Sequence, residues 1–212
     1  MKRALDLFCG AGGATAGLQE AGFYVAGVDI KAQPHYCGDE FHQADAMSFP
    51  LDGFDFIWAS PPCQGYSRTR KIMEGKGIAN PRACNLIPEV RAFLETAKLP
   101  YVIENVPGAP LISPVLLCGT MFGLRVYRHR VFESSLPLVV RGHPTHNGST
   151  GSHRGYSKGF PYVTVGGHNY NTSEGKGAMQ IDWMTRDELN EAIPPAYSEF
   201  IGRQVLGAID AG

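Results

Sequence analysis

A chain of 212 residues is long enough for one α/β domain with a small appendage. With 43% hydrophobic and 18% charged residues it lies outside the disordered and fibrous classes, and no apolar run is long enough to span a bilayer. The 19 basic and 20 acidic side chains leave a formal charge of −1, so a nucleic-acid surface would have to come from local clustering of charge.

Glycine and proline, 26 and 15 residues, make up about a fifth of the chain against a usual ~12%, which promises turns and loops that carry chemistry. The five cysteines, Cys9, Cys37, Cys63, Cys84 and Cys118, form no Cys-x-x-Cys pair and are odd in number. That pattern is neither a disulfide framework nor a cysteine-rich zinc site. Asp6 interrupts the stretch after Met1-Lys2-Arg3 that would otherwise imitate a signal peptide, so the reading is a reduced, cytoplasmic protein.

In chain order, Ala4 to Phe8 reads as a strand that runs into Cys9-Gly10-Ala11-Gly12-Gly13, and Ala14, Ala16, Leu18 and Ala21 predict a helix ended by Gly22. Tyr24 to Val28 predicts a second strand, closed by Asp29, which lies 17 residues beyond Gly12, near the spacing at which a carboxylate meets a ribose. A dinucleotide fingerprint starting at Gly10 would need glycine at position 15, where Thr15 stands, so a nucleoside without a pyrophosphate fits better. Further strands are expected at Phe54 to Ala59 and Tyr101 to Ile103, with a helix from Pro88 to Ala97 between them, the alternation of a parallel sheet. Asp29, Ser60-Pro61-Pro62-Cys63 and Glu104-Asn105 each follow a predicted strand, and in an open α/β sheet ligands bind beyond the carboxyl ends.

Two prolines before Cys63 stiffen the turn and present a single thiol, either a mounted nucleophile or a buried structural cysteine. From Val131 to Ala178 the texture changes to glycine, serine, histidine and tyrosine, with short apolar runs at Leu138 to Val140 and Tyr162 to Val165, and this is expected to be a small second lobe. Residues 125–158 carry Arg125, Arg128, Arg130, Arg141, Arg154 and Lys158 against Glu133 alone, a local charge of +5 suited to phosphates, although a solvated basic loop would read the same way. Arg68, Arg70, Lys71 and Lys76 form a second basic stretch among glycines. His143-x-x-His146 with His129, His153 and His168 invites a metal, but no cysteine or carboxylate lies at ligand spacing along the chain, so none is expected. Helical patterning returns at Glu188 to Ile193 and Phe200 to Ile209, and Trp58 and Trp183 read as core or ridge residues.

Taken together, "DLFCGAGG" at 6–13, "PPCQGYS" at 61–67, "ENV" at 104–106, "RHR" at 128–130 and "IPPAYSEFIGRQV" at 193–205 resemble, in order, the motifs of the C5-cytosine DNA methyltransferases. The resemblance implies a Rossmann-like α/β methyltransferase fold with a mostly parallel sheet and a small irregular or β recognition lobe. Residues 1–130 would bind cofactor and catalyse, 131–178 would recognise the target, and 179–212 would return to the main domain as helices. It implies S-adenosylmethionine held by Phe8, Gly10, Gly12, Gly13, Asp29, Ile30, Asp45, Ala46 and Pro61. It also implies Cys63 as a nucleophile on C6 of a flipped cytosine, with Glu104 on the base edge, Arg130 on O2 and steadying Glu104, and Arg128 holding the loop or a phosphate. Gln64, Ser67, Arg68, Arg70, Lys71, Arg141, Arg154 and Lys158 would meet double-stranded DNA. The implied protein is a cytoplasmic monomer with no membrane contact, working alone or beside a cognate restriction endonuclease. An RNA-directed relative and a non-catalytic DNA-binding relative are the alternatives.

Three departures from the family pattern carry expectations. The lobe is short, which suggests a short or relaxed target. Val126 stands where the double-arginine motif has glutamine. Gly202 is followed by Arg203 and Gln204 in place of Asn-Ser, and an inward-pointing Arg203 would suit a carboxylated cofactor variant, an outward one an ordinary surface helix.

Overall fold

The computed structural model describes residues 1–63, 85–146, 148, 150–151, 161–168 and 170–211. Strand β1 (Arg3–Leu7) leads through the glycine turn into α1 (Gly13–Ala21), and β2 (Tyr24–Asp29) and β3 (Glu40–Gln43) follow. Strand β4 (Phe56–Ala59), α2 (Ile87–Thr96) and β5 (Tyr101–Asn105) complete the main alternation. The predicted strands and helices of this half are present to within a few residues at each end, whereas β3 was not anticipated because Glu40–Gln43 is short and without apolar alternation.

Among the described residues the main sheet has seven strands in the order β3-β2-β1-β4-β5-β7-β6. From β3 to β5 neighbours are parallel; β7 (Arg130–Ser134) runs antiparallel to β5 and to β6 (Val115–Leu117). This is the mostly parallel, Rossmann-like sheet expected. Its strand order reverses between β1 and β4, the place where such sheets open a ligand crevice. Residues 131–134, read from the sequence as the start of the small lobe, lie inside the main sheet, since Val131 and Phe132 pair with Asn105 and Glu104.

Side-chain alternation along the strands feeds two cores. Ala4, Val25, Phe56, Trp58 and Val102 face α1 and the last helix, α5 (Pro195–Ala211), through Leu18, Tyr197, Ile201 and Val205. Leu5, Leu7, Val28, Ile57 and Ile103 face α2 through Val90 and Leu94. Helices α1 and α5 press together because Gly17 has no side chain: a Cβ there would lie 2.0 Å from the Pro195 carbonyl oxygen.

A third cluster, with Leu124, Val126, Val163, Val165, Tyr170, Met179, Ile181 and Leu189, gathers β9 (Tyr162–Val163), α3 (Thr172–Met179) and α4 (Arg186–Glu191). Strand β8 (Thr150–Gly151) pairs with β9. The unexpected valine at 126 is explained here: it is 2% exposed and bridges to Val163, a place suited to an apolar side chain. Among the described residues no helix is long and apolar enough to cross a membrane.

Candidate active site

The glycine turn owes its shape to backbone that most residues avoid. Phe8 and Gly10 have φ of 60° and 52°, and Gly12, at 88°, caps α1 from the left-handed region. Asp29, at the tip of β2, accepts from the Gly10 N–H at 3.1 Å and from the Lys31 N–H at 2.9 Å, so its carboxylate fastens the turn to the neighbouring strand end. Beside it Ile30 is 69% exposed, an apolar side chain left open next to a carboxylate. Asp45 is exposed and accepts from the Met47 N–H, and Ala46 behind it is buried. Trp183 is a residue whose position sequence reasoning missed: its indole donates to the Ala11 carbonyl of the glycine turn at 2.9 Å. No motif in the sequence marks that contact, which joins positions 172 residues apart.

On the other side of the switch point, Ser60 to Cys63 leave β4. Because β4 and β5 run in parallel register, with Ala59 beside Ile103, Ser60 comes level with Glu104. Asn105 donates its side-chain amide to the Pro61 carbonyl at 3.0 Å. Glu104 is 7% exposed, and Arg130 Nε lies 2.9 Å from its Oε1. That contact is an ion pair off the line of a hydrogen bond, so Oε1 retains an unfilled acceptor direction.

Electrostatics join these groups. Burial raises the pKa of Glu104 above the ordinary carboxylic range, and the Arg130 and Arg128 charges oppose it. The half-buried Cys63 thiol is also raised, by desolvation first and the Glu104 carboxylate second, with Arg130 and Arg128 pulling it back down. Cys63, Glu104 and Arg130 thus share one environment beyond the carboxyl ends of β4 and β5, next to the glycine turn.

Of the two roles expected for Arg128, holding a loop or a phosphate, its contacts match the first. Its guanidinium makes four hydrogen bonds to backbone carbonyls, from Nε and Nη2 to Ala192, from Nη2 to Asn190 and from Nη1 to Val165. Burial pushes its pKa down to about 9, which leaves it charged at neutral pH. Donors so engaged are not an arm for a phosphate; they clip the end of α4 and the segment after β9 to the arginine segment. Tyr197 completes that brace by donating its hydroxyl to the Arg128 carbonyl at 2.9 Å.

Arg203 takes the outward of its two alternatives. It lies exposed on α5, bonded to Glu199 at 2.8 Å and to the Glu20 carbonyl at 2.9 Å, an (i, i+4) pair on the outer face of the helix. Arg141 is exposed. Gln64, Ser67, Arg68, Arg70, Lys71, Arg154 and Lys158 lie outside the described residues. Glu133, the one acid of the basic segment, points inward to Arg91 at 2.6 Å and does not dilute the exposed positive charge.

The family model of the C-5 cytosine-specific DNA methylases matches residues 2–110, more than half of the chain. The chain belongs to this family. Two curated relatives of the C-5 cytosine-specific DNA methylase chain are Type II methyltransferases. One, M1.HphI of Haemophilus parahaemolyticus, is 32% identical over 120 residues, covering 48% of this chain and 32% of the relative. The other, M.AquIA of a Picosynechococcus strain, is 29% identical over 127 residues, covering 50% and 49%. The match therefore spans between a third and a half of the length of these relatives. Among solved structures, a chain assigned as a DNA modification methyltransferase, encoded within an E. coli prophage, superposes with a TM-score of 0.68 at 14% identity over all of both chains. The Dnmt2 methyltransferase of S. pombe superposes with a TM-score of 0.61 at 12% identity, over 99% of this chain and 100% of that one. At such identities these likenesses bear on the fold, which they share with this methylase.

Proposed function

We propose that this methylase transfers a methyl group from S-adenosylmethionine to C5 of cytosine in DNA, by way of a covalent bond between Cys63 and C6 of an extruded base. The observation that carries the reading is the common environment of the Cys63 thiol, the buried Glu104 carboxyl and Arg130 beside the glycine turn.

Cytosine C5 is a poor nucleophile, and sulfur adding to C6 places the electrons of the C5–C6 double bond on C5. Cys63 rests as a thiol, so its proton leaves to solvent as the sulfur adds. Glu104, held protonated to higher pH than an ordinary carboxylic acid, donates to N3 of the ring and draws off the charge that the addition creates. Arg130 then balances the carboxylate that Glu104 becomes. Once C5 carries the methyl, loss of its proton to solvent expels the sulfur, which regains a proton from solvent, and N3 returns its proton to Glu104, so that ring, thiol and acid are restored.

The residues present fit the cofactor: Gly10 with open space beside it, the Asp29 carboxylate and the exposed Ile30 face suit a nucleoside, and Phe8, Gly12, Gly13, Asp45, Ala46 and Pro61 would complete the site, although the space beside Gly12 and Gly13 is taken by Cys37 and Ile193. When bound, S-adenosylmethionine supplies the electrophilic methyl of its sulfonium. Exposed Arg141 and the basic residues of 64–71 and 152–158 would grip phosphates around the flipped base, whose extrusion costs a few kcal/mol. The reading extends to a Type II modification setting in the cytoplasm, with or without a partner nuclease.

Duplex DNA bearing 5-fluorocytosine tests it, since the fluorine cannot leave and the adduct persists. The expected result is a denaturation-resistant protein–DNA band that needs S-adenosylmethionine and vanishes in Cys63→Ser. A band unchanged in Cys63→Ser, or methylation confined to tRNA in a competition, would overturn the reading.

A further inference from the structure

The structure gathers four side chains that the reading above does not use. Cys118 Sγ and one ring nitrogen each of His129, His143 and His146 all lie within 4.8 Å of one another. The closest approaches are 2.9 Å from His129 Nε2 to both His143 Nε2 and His146 Nε2, and 3.5 Å from Cys118 Sγ to His146 Nε2. Along the chain these residues are separated by 11, 14 and 3 positions, so no local spacing announces them. The sheet brings them together. Strands β6 and β7 pair Leu117 with Arg130, and one step further along the same register sets Cys118 opposite His129. The segment after β7 then returns His143 and His146 over that end of the hairpin.

Hydrogen bonding alone accounts poorly for such a cluster. An imidazole nitrogen has either one proton or one lone pair, directed in the ring plane, so His129 Nε2 cannot satisfy two other nitrogens at 2.9 Å. A cation accepting a lone pair from each ring satisfies all of them at once. One thiolate and three imidazoles form a closed set of four. With zinc–sulfur and zinc–nitrogen bonds of about 2.3 and 2.0–2.1 Å, the ligand atoms of a tetrahedral site stand roughly 3.3–3.6 Å apart, within the range from 2.9 Å to the 4.8 Å limit found here. We propose that Cys118, His129, His143 and His146 bind a structural zinc ion. The metal sensed by one soft and three borderline ligands, with no carboxylate among them, is zinc rather than magnesium or calcium.

The surroundings suit such a site. The Thr120 hydroxyl reaches the Cys118 sulfur at 3.2 Å, and the Tyr127 ring stacks on His146 with centroids 3.9 Å apart. Tyr127 donates its hydroxyl to the Gly148 carbonyl, tying the same segment from the other side. Cys118 is buried while His143 is exposed, so the ion has an entry path. On binding, the Cys118 thiol releases its proton to solvent and the ion completes the bond. The consequence is architectural: His129 stands between Arg128 and Arg130, so the ion staples the segment leading into the small lobe to the strand that presents Arg130 to Glu104.

Untagged full-length protein, purified without chelator, tests this by elemental analysis independently of methyl transfer. The expected result is about one zinc per chain. Exchange with cobalt(II) is expected to give a visible spectrum of tetrahedral type with a thiolate charge-transfer band, and Cys118→Ser abolishes that band. His143→Ala, at an exposed position, is expected to lose the zinc with an unchanged circular dichroism spectrum and a lower melting temperature that added zinc does not restore. Protein that carries only background metal and binds no added zinc overturns the site. Stoichiometric iron, copper or nickel in place of zinc overturns the choice of ion, and full zinc retention in both variants overturns the ligand set.

Discussion

The side-chain amide of Asn105 donates to the carbonyl of Pro61 at 3.0 Å, across 44 positions of sequence and within the buried interior. It ties the end of β5, which carries Glu104, to the turn that carries Cys63. Removing the amide leaves the buried Pro61 carbonyl without its partner among the described residues, at a cost of about 1–3 kcal/mol. Asn105→Ala is therefore expected to slow adduct formation on 5-fluorocytosine DNA far more than it weakens cofactor binding. Equal losses in single-turnover rate and in cofactor affinity would remove the positioning role.

Glu104→Gln separates the two effects of that carboxyl. Turnover is expected to fall by roughly 10²–10⁴-fold, since an amide donates no proton to the ring. Iodoacetamide should alkylate Cys63 faster in the variant, because the Glu104 carboxylate charge that raises the thiol pKa is gone. Arg130→Met should slow the same alkylation, since Arg130 lowers it. Mass spectrometry of the Cys63 peptide reads both; identical alkylation rates in all three proteins would mean that the groups do not sense one another.

Asp6 predicts a pH dependence of stability. It is fully buried, accepts from the Thr15 hydroxyl at 2.6 Å, and burial raises its pKa from 3.8 to about 7. Between those values the unfolded chain has released a proton that the folded chain still holds, so stability falls as pH rises and the loss is complete above about pH 7. Three pKa units correspond to about 4 kcal/mol. In urea unfolding, the stability of Asp6→Asn relative to wild type is expected to climb by up to that amount between pH 4 and pH 8 and then level off. Parallel curves across the range would contradict it.

The contact of α1 with α5 gives opposite outcomes for one substitution at two glycines. Gly17→Ala drives a Cβ to 2.0 Å from the Pro195 carbonyl oxygen and 2.2 Å from the Ser198 hydroxyl, which outweighs the gain in helix propensity and should cost about 3 kcal/mol. Gly207→Ala, exposed on α5 with open space around it, should stabilise by about 0.5–1 kcal/mol. Thermal melts of the two variants should move in opposite directions.

Much of this methylase was legible along the chain, for physical reasons that can be named. Apolar runs ending in Gly10, Asp29, Cys63 and Glu104 marked the strands and the carboxyl edge, because a parallel strand buried on both faces must be apolar and its ligand groups can only follow it. Local chemistry was legible too: two prolines before a thiol, and glycine where the backbone turns left-handed at Gly12. What escaped depends on residues distant in sequence. The resemblance implied that Arg130 steadies Glu104, but strands β6 and β7 are short and pair antiparallel beside β5, a register that composition does not encode. Arg128 was expected on the loop or a phosphate, and which carbonyls it holds, more than 35 positions away, no local pattern names. Cys118 and His129 face one another because a hairpin closes between them. Patterning within a few residues sets which elements form and what they carry; which side chains then meet is decided by strand order and register, whose contacts exist only once the chain has folded.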